Sequence, residues 1–108
     1  MEVLDLTEAP PLSKQFWLRD RLVRSAFSIQ ANIAEGNGRT TPLDYAAFLD
    51  RARASTFETD TWLLVAADKA WITPDLHRRL EADLDAISAI LYAMTRTLRS
   101  RGKLNSRT

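Results

Sequence analysis

Helix-breaking residues are scarce in this chain, and their positions divide it. The three glycines and four prolines among 108 residues fall at Pro10, Pro11, Gly36, Gly38, Pro42, Pro74 and Gly102. Glycine weakens a helix interior through its backbone entropy, and proline through its missing N–H and its ring clash. The three uninterrupted stretches between them therefore read as helices over about 13–35, 42–70 and 74–101. In the first, Leu18, Leu22, Ala26, Ile29 and Ile33 recur every three or four residues. Phe16, Val23, Phe27 and Ala34 add a second apolar line, which predicts neighbours on two sides of this helix.

The second helix opens at Thr41-Pro42-Leu43-Asp44, where Thr41 caps an N–H one turn on, Pro42 suits the first position and Asp44 reaches back. Its inner stripe is Tyr45, Phe48, Leu49, Ala52, Thr56, Leu63, Ala66 and Ala70, with a small polar waist at Ser55, Thr56 and Thr59. The third opens at Thr73-Pro74-Asp75, and Leu80, Leu84, Ile87, Leu91, Met94 and Leu98 form a heptad seam. Short connections force successive helices to run antiparallel. The expected fold is all-α, an up-down antiparallel helical bundle in a single domain spanning 1–108. With Trp17, Trp62 and Trp71 outside the main seams, the apolar surface exceeds what one small bundle covers, so a further helix or a second subunit is expected.

Composition narrows the chemistry. There is no cysteine and one histidine, so neither a disulfide framework nor a common zinc constellation is expected, and no cofactor is implied. No apolar run approaches the roughly 20 residues of a membrane span, and Met1 to Pro11 is acidic where a signal peptide is basic. A cytoplasmic protein without membrane partners is expected. The net charge of +1 is unevenly spread: Met1 to Ser13 carries −3, Lys14 to Arg39 +3, Thr40 to Asp85 −4 and Ala86 to Thr108 +5, the last including Arg107. Two basic segments permit polyanion binding.

Catalysis finds no candidates. Glu58 and Asp60 point to different helix faces, Glu81 and Asp85 are like charges suited to solvent, and Ser25, Ser28 and Ser55 lack a base. His77, in the first turn of the third helix beside Arg78 and Arg79, reads as exposed or partly packed and without a catalytic or ligating partner. Gly36 and Gly38 follow a helix instead of opening one, so they read as a helix stop and not as a phosphate cradle. On this reading Gly36 adopts the left-handed conformation and Gly38 lets the chain turn into Thr41. Asn32 lies near the packed face and needs partners. A polar cluster of Asn32, Glu35, Arg39, Ser55 and Glu58 is expected to tie the Gly36-Gly38 loop to the second helix.

Two segments resemble a known family. Ser28-Ile29-Gln30-Ala31-Asn32-Ile33-Ala34-Glu35-Gly36-Asn37-Gly38-Arg39, followed by Ala52-Arg53-Ala54-Ser55 with Glu58, Asp60 and Thr61, is similar to the bacterial four-helix-bundle proteins encoded in 23S ribosomal RNA intervening sequences. Ala54 replaces a glycine of that pattern and Asp60 a glutamate. The resemblance extends from about Met1 to Arg101. Family members carry an additional N-terminal helix, of which Met1 to Leu6 aligns with the last turn. Either the start is placed late or this is a three-helix variant completed by association. Related bundles, including the accessory variability protein of diversity-generating retroelements, are cyclic pentamers, so the resemblance implies a homo-oligomer with a pentamer favoured.

The resulting expectation is a non-enzymatic oligomer that binds RNA or DNA, or that docks a nucleic-acid enzyme such as a reverse transcriptase. Candidate phosphate contacts are Arg19, Arg21, Arg24, Arg53, Arg78, Arg79, Arg96, Arg99, Arg101 and Lys103. The alternative is a structural module that assembles with proteins and binds no nucleic acid.

Overall fold

The computed structural model describes residues 2–8 and 11–106; Pro10 and Arg107 lie outside them. The described residues form α1 (Glu2–Glu8), a 3-10 turn (Leu12–Lys14), α2 (Phe16–Asn37), α3 (Pro42–Asp68) and α4 (Pro74–Ser106), with no strand among them. α3 packs along both α2 and α4, and residues of all three helices share one buried cluster. The three long helices thus run antiparallel in succession, with α3 packed against both of the others. The register is regular: Ser25 faces Thr59, Ser28 faces Ser55, and Gly36 faces Tyr45 and Phe48. The molecule measures 56 × 21 × 16 Å, and its 16.1 Å radius of gyration exceeds the roughly 13 Å of a compact chain this long.

Packing against both neighbours explains the composition of α3. A helix flanked on two sides buries most of its circumference, and small residues let both neighbours approach. Ala46, Ala52, Ser55, Thr56, Thr59 and Ala66 are all buried, with Leu49 and Leu63 supplying bulk. One core cluster joins Val3, Leu12, Leu18, Leu22, Ala26, Ile29, Leu63, Ala66, Ile72, Leu80 and Leu84. A second joins Ala46, Leu49 and Ala52 of α3 to Leu91 and Leu98 of α4. α1 serves the first cluster, and its Asp5 and Leu6 share a surface cleft with Leu76, Arg79 and Leu80 of α4.

The threonine caps agree with the sequence. Thr41 accepts from the Asp44 N–H at 3.1 Å, and Thr73 accepts from the Leu76 N–H at 3.1 Å. Other boundaries differ. Leu12–Lys14 is a 3-10 turn that buries Leu12, and Gln15 (φ −102°, ψ 75°) interrupts the chain, so α2 begins at Phe16 and not at 13. α3 ends at Asp68 because Ala70 takes φ 60°. The Ala70 N–H then bonds the Ala67 carbonyl and the Trp71 N–H bonds the Ala66 carbonyl, which together make a Schellman motif on a non-glycine residue.

The left-handed stop expected at Gly36 is not found, although α2 does end beside Gly38. No described glycine has a positive φ, and Gly36 lies inside α2, which continues to Asn37. A Cβ there would stand 2.8 Å from Tyr45 Cδ1 and 2.9 Å from Phe48 Cβ, so Gly36 permits close approach of α3. Gly38 (φ −84°, ψ −3°) is in a conformation open to any residue. Gly102 is likewise inside α4, where a Cβ would meet Leu43 at 2.6 Å. The second apolar line of α2 faces outward in the single chain, with Phe16 at 74% exposure and Phe27 at 52%. No helix among the described residues is long and apolar enough to cross a membrane.

Candidate nucleic-acid interface

The antiparallel α3–α4 hairpin separates charge along its length. Residues 39–57 and 88–103, at the end where α3 begins and α4 finishes, carry seven bases and two acids, a net +5. Residues 58–87, around the α3–α4 turn, carry three bases and seven acids, a net −4. The C-terminal excess of Arg96, Arg99, Arg101 and Lys103 is thereby joined in space by Arg51 and Arg53 of α3.

At the basic end, arginines lie on aromatic rings. The Arg53 guanidinium stands 4.9 Å from the Tyr92 centroid and 5.4 Å from that of Phe57, and Arg96 lies 6.0 Å from Tyr92. The Arg53 Nε–H donates to Ser88 Oγ at 3.1 Å, which fixes the group across the two helices. Tyr92 and Phe57 remain about half exposed, at 48% and 52%. On the α2 flank of α3, Arg39 and Arg51 lie 4.4 and 4.8 Å from the Phe48 centroid. A ring face attracts the cation without consuming its N–H donors, so these guanidinium edges stay available to an acceptor such as a phosphate. Beside them, Tyr45, Ala93, Met94, Thr97, Leu98 and Arg101 border an apolar groove of about 360 Å³.

Other candidates are occupied or placed elsewhere. Arg24 pairs with Asp20 at 3.1 Å, Arg78 with Asp75, and Arg99 with Asp50. The Asp50 hydrogen bond and charge raise the Arg99 guanidinium further above its ordinary value, so it stays a cation. Arg21 lies over Trp62 at 5.0 Å, and Arg19 is half-buried with its Nε enclosed and lacking a hydrogen-bond partner among the described residues. Arg19, Arg21, Arg24, Arg78 and Arg79 belong to the other end of the molecule, among Asp20, Glu58 and Asp75. Arg101 and Lys103 are exposed at the basic end.

The expected polar cluster is smaller than its sequence motif. Asn32 Nδ2 donates to the Ser28 carbonyl at 2.8 Å and to Ser28 Oγ at 3.0 Å, and Ser55 Oγ lies 2.8 Å from Ser28 Oγ. A second rung pairs Thr59 with Ser25 at 3.0 Å. Glu35 and Arg39 are exposed, with Arg39 lying over the Phe48 ring, and Glu58 accepts from Trp62 Nε1 at 3.4 Å. These three lie outside the cluster because the α2–α3 contact is made by small hydroxyl residues one turn apart, and long charged side chains there extend into solvent. The cluster therefore ties helix to helix and leaves the turn at Gly38 aside.

His77 is the residue whose surroundings sequence reasoning missed. Its Nε2 lies 3.2 Å from Asp60 Oδ1, across the helix pair, and 3.7 Å from Glu81 Oε2 one turn on. The Glu81 spacing of four residues is a local signal, whereas the Asp60 contact depends on the α3–α4 register.

A family model described as 23S rRNA-intervening sequence protein matches residues 1–93. A crystal structure of a protein of unknown function from the S23 ribosomal protein family of Bacteroides thetaiotaomicron is similar at a TM-score of 0.78 and 23% identity. The match covers 87% of this chain and 85% of that one, and supports the helical fold. No curated protein matches.

Proposed function

We infer that this chain, which belongs to the 23S rRNA-intervening sequence protein family, binds nucleic acid through the basic end of its α3–α4 hairpin and acts by binding alone. The observation that carries this reading is the Phe57–Arg53–Tyr92–Arg96 array, with guanidinium groups held on half-exposed rings. Arginine N–H edges contact phosphates, and exposed rings stack unpaired bases. A helix pair with no groove-entering motif among the described residues favours flexible or looped strands over a duplex read by base edges. Binding is then sequence-tolerant and salt-dependent. Fluorescence anisotropy with a structured RNA at low and high salt tests it: saturable binding that weakens with salt supports the reading, and no binding at low salt removes it.

Self-association is part of the same proposal. Phe16, Phe27 and Ile90 (61% exposed) present apolar side chains that the protomer leaves uncovered. Several copies would multiply the basic ends offered to one strand. Sedimentation equilibrium at micromolar concentration tests this part, and a monomer there contradicts it.

A further inference from the structure

We propose that Asp60, His77 and Glu81 form a binding site for a divalent transition-metal ion of borderline softness, with Zn²⁺ the best fit. The three ligand atoms lie within 4.8 Å of one another. Metal–ligand bonds of about 2.0–2.2 Å place neighbouring ligand atoms roughly 3.0–3.5 Å apart, and His77 Nε2 already stands 3.2 Å from Asp60 and 3.7 Å from Glu81. Binding would draw the two carboxylates closer, through rotation about side-chain bonds, from a spacing that is now within 4.8 Å.

The chemistry at Nε2 calls for a cation. This nitrogen holds one proton or one lone pair, while two carboxylates converge on it, and a single proton cannot serve both at full strength. A metal ion accepts the lone pair and offsets both negative charges at once. The surrounding residues 58–87 carry a net −4, which favours the ion further, and the nearby Arg78 is engaged with Asp75. Access is graded: the side chains of His77, Asp60 and Glu81 are 12%, 32% and 45% exposed, so an ion enters on the Glu81 side and water completes its shell. An imidazole with two carboxylates suits Zn²⁺, Co²⁺ or Ni²⁺. Mg²⁺ and Ca²⁺ prefer more ligands, all oxygen.

His77 and Glu81 share one face of α4, and Asp60 comes from α3, so the ion would clip the two helices together and raise the melting temperature. The site is separate from the basic end, and its test needs no nucleic acid. Because His77 is the single histidine, its ring resonances report binding unambiguously when ZnCl₂ is titrated into the whole chain. The expected result is a saturable shift of the His77 ring signals at one equivalent, accompanied by a higher melting temperature, with no shift in equimolar MgCl₂. Glu81→Gln and Asp60→Asn, which keep shape and hydrogen-bonding capacity, are each expected to weaken Zn²⁺ binding roughly tenfold or more. His77 signals unmoved by millimolar ZnCl₂, or a Zn²⁺ affinity equal in wild type and both variants, overturns the proposal.

Discussion

Arg53 of α3 donates its Nε–H to Ser88 of α4 at 3.1 Å. That bond turns a long, flexible side chain into a fixed one, since the same guanidinium also rests between Phe57 and Tyr92. The cation is therefore presented in one orientation, and the ordering cost of binding an anion there is partly met in the free protein.

Tyr92→Ala removes one ring of this array from a half-exposed position. It is expected to weaken single-stranded RNA binding by about 1–3 kcal/mol, the range for loss of a stacking platform, while duplex binding falls less. A fluorescence titration with matched single- and double-stranded oligomers measures the difference. An equal loss on both would show that Tyr92 does not stack on bases.

Gly36→Ala and Gly38→Ala are expected to diverge although the two sites are two residues apart. The new Cβ at Gly36 collides with Tyr45 and Phe48. This should destabilise the protein by about 1–2 kcal/mol, as overpacking outweighs the gain in helix propensity. At Gly38 the nearest atom is a backbone oxygen at 3.5 Å, so the change should stay within about 0.5 kcal/mol. Urea unfolding of both variants gives the comparison.

Ala70→Gly is expected to stabilise. Ala70 holds φ 60° to close the Schellman motif after α3, a conformation that costs a residue with a Cβ about 1–2 kcal/mol. Glycine relieves that strain but loses more entropy on folding, leaving a net gain of about 0.5–1 kcal/mol. A thermal melt shifted upward by several degrees is the expected result.

Asn32→Ala should cost about 0.5–1.5 kcal/mol, the net value of its bonds to Ser28. Ser55→Ala removes the neighbouring contact on the same Ser28 hydroxyl. The two changes should therefore couple by about 0.5 kcal/mol or more in a double-mutant cycle, and additive losses would show that the rungs act separately.

What the sequence revealed was mostly local. Thr41 and Thr73 cap helices through N–H groups three residues on, so their role is written in adjacent residues, and the buried Leu80, Leu84, Leu91 and Leu98 of the seam are likewise a matter of spacing, whereas Met94 of the same seam is exposed. Gly36 and Gly102 were misread because their purpose lies on another helix, in Tyr45, Phe48 and Leu43. Ala70 gives no sign of a left-handed stop, since composition alone makes it a good helix former. For the site, the excess of bases near the C-terminus was legible, but its association with Arg53 and the separation from Arg19, Arg21 and Arg24 required the fold. Asp60 and His77 are 17 residues apart in the chain, and only the antiparallel register places them together.

The most direct test of the account is the slope of log affinity against log salt for a structured RNA, measured for the wild type and for an Arg53→Gln, Arg96→Gln, Arg101→Gln triple variant. The prediction is a steep, linear loss of affinity with salt for the wild type and a slope lower by roughly one unit per phosphate-contacting arginine removed. Identical slopes for the two proteins, or no wild-type binding at low salt, would contradict it.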